Sequence, residues 1–64
     1  MDNTLRSDIK PGMAVVIVQK HHQKTGEFTQ GVVQDILTSA PVHTRGIKVR
    51  LTTGEVGRVQ AIQG

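Results

Sequence analysis

Apolar and polar residues alternate most regularly near the C-terminal end of the chain. Aliphatic residues occupy positions 47, 49 and 51, and the residues between them are Lys48 and Arg50. Successive side chains of a β-strand point to opposite faces of a sheet, so a period of two is typical of a half-buried strand. The pattern therefore predicts a strand with one face in a core and a cationic face in water.

A second apolar segment covers residues 13–18 and reads Met-Ala-Val-Val-Ile-Val, directly after the turn dipeptide Pro11-Gly12. β-Branched residues are enriched in strands, and a strand that is apolar on both faces suits the centre of a closed or nearly closed sheet. We expect two further strands, over residues 28–37 and 55–62. Each contains a glycine, Gly31 or Gly57, that is a candidate for a bulge or a sharp bend.

Four strands joined by turns, without an amphipathic helix pattern, predict an all-β fold: a small antiparallel SH3-like (KOW-like) barrel of four to five strands. The chain has 64 residues, which is too few for a second domain. We assign residues 9–64 to this single domain. Residues 1–8 are polar and are expected to form a flexible arm with at most a short turn, and either terminus could contribute a fifth strand.

The register of the last hairpin decides where Arg58 points. A two-residue turn at Thr53-Gly54 would pair Arg58 with Val49 and direct its guanidinium into the core, which is unfavourable for a charged group. We favour a glycine-centred bulge at Gly54 or Gly57, which shifts the register by one residue. The alternative is an Arg58 at the barrel rim with its head group in water.

The composition indicates the cellular compartment in which the protein is expected. The chain contains no cysteine, so it forms neither a disulfide nor a thiolate-bound zinc site. It has no apolar segment approaching the roughly 20 residues that cross a bilayer, and no signal-peptide pattern. We therefore expect a cytoplasmic protein with no membrane partner. A monomer is favoured, and pairing of two chains through strand edges is a further interpretation, because so small a barrel is marginally stable.

The net charge of +3 is unevenly distributed. Residues 1–40 contain four Lys and Arg and four Asp and Glu, whereas from residue 41 onward four Lys and Arg face Glu55 alone. This asymmetry indicates an anionic partner. An equally simple interpretation is a solvated cationic surface that keeps the sheet soluble and discourages edge pairing.

The side chains of Lys48 and Arg50 would project from the same face of a strand about 7 Å apart, close to the spacing of about 6 to 7 Å between phosphates along a nucleic-acid strand. We therefore predict a non-enzymatic module that binds nucleic acid, with RNA of a ribosome-type target favoured. The candidate phosphate contacts are Lys48, Arg50, Arg58 and, from loops, Arg45, Lys20 and Lys24. The alternative is an SH3-like protein-interaction module that docks through a strand edge or through the loops at residues 20–26 and 38–46.

Other chemistry is not predicted. Phe28 is the only aromatic residue and is expected in the core or at its rim, so base stacking should not dominate recognition. His21, His22 and His43 lack the spacing of a metal site, and we predict no metal and no cofactor. The sequence has no arrangement of nucleophile and base, and no glycine-rich phosphate loop, so we do not expect an enzyme.

Two families share parts of this sequence. Residues 11–36, with a Pro-Gly lead-in, an apolar strand and a later Gly-Val-Val, resemble the KOW motif of ribosomal proteins and elongation factors. A closer resemblance covers residues 9–12 (IKPG), 25–38 (TGEFTQGVVQDILT) and 43–59 (HTRGIKVRLTTGEVGRV), which are similar to the YwbE-like family of small bacterial proteins. Proline commonly follows the histidine matching His43 in that family, whereas threonine stands here. Because the family has no assigned activity, the resemblance implies a fold and leaves the function open.

Overall fold

The protein is described by a computed structural model that covers residues 2–19 and 26–63. These residues form a turn of 3-10 helix at Arg6–Asp8 and four strands: β1 (Ala14–Gln19), β2 (Thr29–Ile36), β3 (Lys48–Leu51) and β4 (Val56–Ile62). All strand pairs are antiparallel, and β4 returns to pair with β1, so the sheet closes in the order β1-β2-β3-β4. The predicted all-β small antiparallel barrel is confirmed, with four strands.

The interior of the barrel is aliphatic. On β3 the alternation works as predicted, because Val49 and Leu51 are fully buried while Lys48 and Arg50 are exposed. Residues from every strand and from the segments before β1 and β3 meet in one cluster, formed by Ile9, Val15, Ile17, Val33, Ile47, Val49, Leu51 and Val59. Burial of this apolar surface is the main force that holds so small a sheet closed.

The turn between β3 and β4 has three residues, 52–54, rather than two. The N–H of Gly54 donates to the carbonyl of Leu51 at 2.9 Å, and the N–H of Leu51 donates to the carbonyl of Glu55 at 2.8 Å. Gly54 has φ +103°, a conformation that glycine adopts without the steric cost of a side chain. This arrangement is typical of a three-residue hairpin with a glycine bulge, so the bulge predicted at Gly54 is confirmed.

The longer turn sets the register of the hairpin. Val49 lies opposite Gly57, and Lys48 lies opposite Arg58. Arg58 therefore emerges on the outer face of the barrel beside Lys48, and not in the core. The one-residue shift that was inferred from the cost of burying a guanidinium is the shift that the structure has.

The other irregularities of the sheet are not at the predicted glycines. One extra residue, Gln34, interrupts the pairing of β2 with β3, and a second, Gln60, interrupts the pairing of β4 with β1. At Gly31 and Gly57 the pairing with β1 is regular. A bulge makes the strand bend locally, and these two bulges help four short strands to close.

Gly31 and Gly57 serve close packing instead. A Cβ atom at Gly31 would lie 2.5 Å from Cδ1 of Leu51, and one at Gly57 would lie 2.5 Å from the carbonyl oxygen of Val18. The second contact is the close backbone approach that a glycine inside a strand indicates. Gly57 therefore needs glycine for space, whereas a side chain at Gly31 would require the Leu51 side chain to move.

The segment predicted as an arm contacts the barrel. The carbonyl of Asn3 accepts a hydrogen bond from the N–H of Ile47 at 3.0 Å, and its side-chain amide donates to the carbonyl of Val59 at 2.8 Å. The predicted short turn is the 3-10 helix. Among residues 2–19 and 26–63 there is no fifth strand, and Leu5 and Val42 form an isolated bridge. The flexibility of the arm remains a prediction.

Across residues 2–19 and 26–63, no helix has the length and apolar character to span a membrane.

Candidate nucleic-acid interface

Two cations face each other across β3 and β4. Lys48 is exposed, Arg58 is half-buried, and the two are direct cross-strand partners. The Cβ atoms of such partners lie about 4.5 to 5.5 Å apart, and like charges at this distance repel each other. The outer face at this point is therefore a region of positive potential that an anion would stabilise.

A backbone carbonyl and a histidine side chain contact the Arg58 guanidinium. Its Nη1 donates to the carbonyl oxygen of Gly46 at 3.2 Å and lies 3.4 Å from Nδ1 of His43. The backbone N–H of Arg45 donates to the same His43 nitrogen at 3.2 Å. These contacts orient Arg58 without neutralising its charge.

A groove opens next to Arg58 on the outside of the barrel. It has a volume of about 420 Å³ and is lined by Val18, Gly26, Phe28, Arg45, Arg58 and Gln60. Gln60 is the bulged residue of β4, and bulges commonly redirect a side chain beside a binding site. The groove thus combines two guanidinium groups with an aromatic ring, an amide and an aliphatic side chain.

Arg50 lies apart from this group. Its Nη1 is 3.8 Å from Oδ2 of Asp35, its cross-strand partner on β2, and both side chains are about half exposed (48% and 51%). An exposed pair of this kind contributes about 0 to 1 kcal/mol to stability. It still places a carboxylate beside the guanidinium, so Arg50 is less available to a phosphate than Lys48, although both project from the same strand.

The remaining predicted side chains divide into two groups. Lys20 and Lys24, together with His21 and His22, lie outside the described residues. Arg45 is exposed and lies on the wall of the groove with Arg58. In the part of the chain that the structure describes, no three His, Cys, Asp or Glu side chains are close enough to hold a metal ion.

The three cations of this face are Arg45, Lys48 and Arg58. Among residues 2–19 and 26–63, no carboxylate comes within ion-pair distance of any of the three. The hydroxyl of Thr53 donates to the Glu55 carboxylate and lowers its pKa, and a hydrogen bond from the Thr4 hydroxyl lowers the pKa of Asp2 in the same way. Both carboxylates are ionised at neutral pH and are hydrogen-bonded to threonine.

Phe28 does not lie in the core, the first of the two places that the sequence predicts for it. It is 65% exposed and contributes to the groove, so it is not part of the core. The alternation of β2 could have shown that Phe28 is exposed. Val33 is buried, and Gly31 and Thr29 lie on the same face of the strand as Val33, so Phe28 lies on the opposite face. Gln60 was missed because only cationic side chains were taken as candidate contacts, although alternation from buried Val59 already places it on the outer face.

Fold and surface together define a small, closed β-barrel with a cationic groove on its outer face. The chain belongs to the family of uncharacterized conserved proteins called DUF2196, whose model matches residues 2–62. It is 50% identical over 62 residues to the uncharacterized protein YwbE of Bacillus subtilis (strain 168), which covers 97% of this chain and 95% of that protein. No solved structure matches it. The resemblance to the YwbE-like family is confirmed, and neither description assigns an activity.

Proposed function

We propose that this protein is a non-enzymatic nucleic-acid-binding module that contacts phosphates through Arg45, Lys48 and Arg58. One observation carries the proposal: these cations share one side of the barrel, and within the described residues none of them has a carboxylate at ion-pair distance. Phosphates supply most of the affinity in sequence-independent binding of nucleic acids, and Lys and Arg are their usual partners. RNA is favoured because residues 11–36 resemble the KOW motif of ribosomal proteins.

Arg50 has a smaller part in this proposal than the sequence suggested. A phosphate would have to compete with Asp35 for its guanidinium. Lys20 and Lys24 remain predicted contacts from the loop before β2. The phosphate surface is therefore centred between Lys48 and the groove, and does not run along β3 alone.

The protein-interaction alternative has less support. Docking through a strand edge requires an unpaired strand, and in the closed barrel each of the four described strands has a neighbour on both sides. A proline-rich peptide needs an aromatic-lined groove, and this chain has one aromatic residue. Docking through loops remains an alternative.

A salt titration tests the proposal. We expect RNA binding, measured by fluorescence anisotropy, to weaken with salt with a log-log slope of about −2 to −3 if three phosphates are neutralised. Arg45→Gln or Lys48→Gln should each reduce the slope by about 1 in magnitude, because each removes one phosphate contact. Both side chains are exposed, so the fold should be unaffected.

Lys10→Gln is the matched control. Lys10 is exposed, and it lies in the turn before β1, at the end of the strand away from Arg58, which is opposite Val18. This variant changes the net charge as Lys48→Gln does and should leave the slope unchanged. RNA binding that does not change with salt, with Arg45→Gln or with Lys48→Gln would refute the proposal.

A further inference from the structure

We infer that the groove binds an unpaired nucleotide of a single-stranded nucleic acid, with the base stacked on Phe28 and its phosphate held by Arg45 and Arg58. This inference rests on the proposed function and narrows it. The sequence predicts that base stacking does not dominate recognition, whereas this inference gives stacking a defined role at one place on the surface.

The exposure of Phe28 is the first observation. The ring is 65% exposed, although every fully buried core position holds an aliphatic residue. A large apolar ring left in water forgoes the favourable free energy of its burial. Phe28 lies directly before β2, which begins at Thr29, so the sheet holds its backbone close to the barrel. The ring is thus exposed at the surface, next to the first residue of β2.

The neighbours of Phe28 are the second observation. Two guanidinium groups, from Arg45 and Arg58, share the groove with the ring. Acceptors on Gly46 and His43 engage one nitrogen of Arg58, and a guanidinium has five N–H donors, so further donors remain for a phosphate. The cavity of about 420 Å³ falls within the range of about 300 to 1,000 Å³ that small ligands occupy.

A nucleotide matches each part of this lining. Every base has a π-face that stacks on an aromatic ring, and every nucleotide carries an anionic phosphate. The amide of Gln60 can donate and accept, as the edge of an unpaired base requires. A base in a duplex is stacked on both faces, so its faces cannot reach Phe28. The combination of ring, cations and amide therefore favours a single strand over a duplex.

The test compares single-stranded and duplex RNA of the same composition, using anisotropy and the variant Phe28→Leu. We expect the native chain to bind the single strand more tightly. Phe28→Leu should weaken single-strand binding about 5- to 150-fold, because a base loses its stacking partner. The salt slope should stay unchanged, because no phosphate contact is removed.

Three controls make the result specific. Phe28→Trp should retain the affinity of the native chain, because it keeps an aromatic face. Val42→Ala truncates an exposed aliphatic side chain outside the groove and should have no effect. Unfolding midpoints measured in urea should be alike for the native chain and Phe28→Leu, since the ring is exposed.

The outcomes separate this inference from the function on which it rests. If Phe28→Leu has no effect while Lys48→Gln still reduces the salt slope, the inference is overturned and phosphate binding stands. Preference for the duplex would overturn it in the same way. If neither RNA binds, both proposals fail. Binding of an acidic polyglutamate peptide in the groove, without binding of RNA, would also overturn both.

Discussion

Gly46 connects the backbone geometry of the barrel to the cationic groove. Its carbonyl accepts the hydrogen bond from Arg58, and its φ of +99° lies in the left-handed region. A Cβ atom added there would collide with the carbonyl of Val59 on β4. The residue that orients the guanidinium is therefore one where any side chain would disturb the sheet.

Two glycine substitutions separate backbone strain from steric collision. Gly12 also has a left-handed backbone, with φ +92°, but nothing lies within 4 Å of an added Cβ. Gly12→Ala should cost about 1 to 2 kcal/mol, the usual penalty of a left-handed alanine. Gly46→Ala should cost about 1 to 3 kcal/mol more, because the β4 backbone has to move. Urea unfolding would show the difference, and equal losses at the two positions would contradict this account.

The exposed cations and the buried aliphatic residues of β3 could be predicted because each side chain follows a local period of two. The reduced availability of Arg50 to a phosphate could not be predicted in this way. With a regular ladder, Arg50 would face Gln34, but the bulge at Gln34 advances β2 by one residue and places Asp35 opposite it. No residue type in β2 signals this bulge.

At the scale of elements, the β3–β4 hairpin shows when a register can be derived. Placing Arg58 in the core would be costly, and this cost favours a bulge at Gly54 or Gly57 that shifts the register by one residue. The turn is also stabilised by its own side chains, since the Thr53 hydroxyl donates to the Glu55 carboxylate. This hydrogen bond makes the stability of the hairpin depend on pH.

Thr53→Val should destabilise the protein at neutral pH but not in acid. The hydrogen bond lowers the pKa of Glu55 in the folded protein, below the value of about 4.3 in an unfolded chain. Stabilisation from a depressed carboxyl pKa is present above the unfolded value and is lost as the pH falls through the folded value. Urea midpoints of the two proteins should therefore differ at neutral pH and converge in acid, once the pH lies below the pKa of Glu55 in the folded protein.

Glu55→Gln supplies the control for that experiment. It removes the titrating group, so Thr53→Val made in the Glu55→Gln background should have an effect that does not change with pH. If the urea midpoints of the native protein and Thr53→Val differ by the same amount in acid and at neutral pH, the Thr53–Glu55 hydrogen bond is not the source of the difference.

At the scale of the whole molecule, eight aliphatic side chains form the core that holds the four strands together. A chain of 64 residues has a total stability of roughly 3 to 10 kcal/mol. One buried side chain is a large fraction of that total. The class of fold could be predicted from the number of strands. The pairing of β1 with β4 joins residues that are distant in sequence, so no local pattern predicts which residues pair.

Ile17 tests how far the barrel depends on single core residues. It is fully buried on β1, the strand between β2 and β4. Ile17→Val should cost about 0.5 to 1.5 kcal/mol and leave a cooperative transition, whereas Ile17→Ala should cost about 2 to 5 kcal/mol and populate the unfolded state in the absence of urea. Circular dichroism and amide dispersion in NMR spectra would measure both.

Val16→Ala is the comparison on the same strand. Val16 is only partly buried, so its truncation should cost less than that of Ile17. Equal losses for the two alanine variants would mean that the barrel interior does not dominate the stability.

The pairing of β1 with β4 also governs when this protein can fold in a cell. Val15 lies opposite Ile62, so the earliest strand to be translated is joined to the latest. While the nascent chain is still being extended, β1 has no partner on that side and its backbone N–H and C=O groups remain open to other strands. Closure has to wait until β4 has left the ribosomal exit tunnel, so the barrel forms only once its last strand is available to β1.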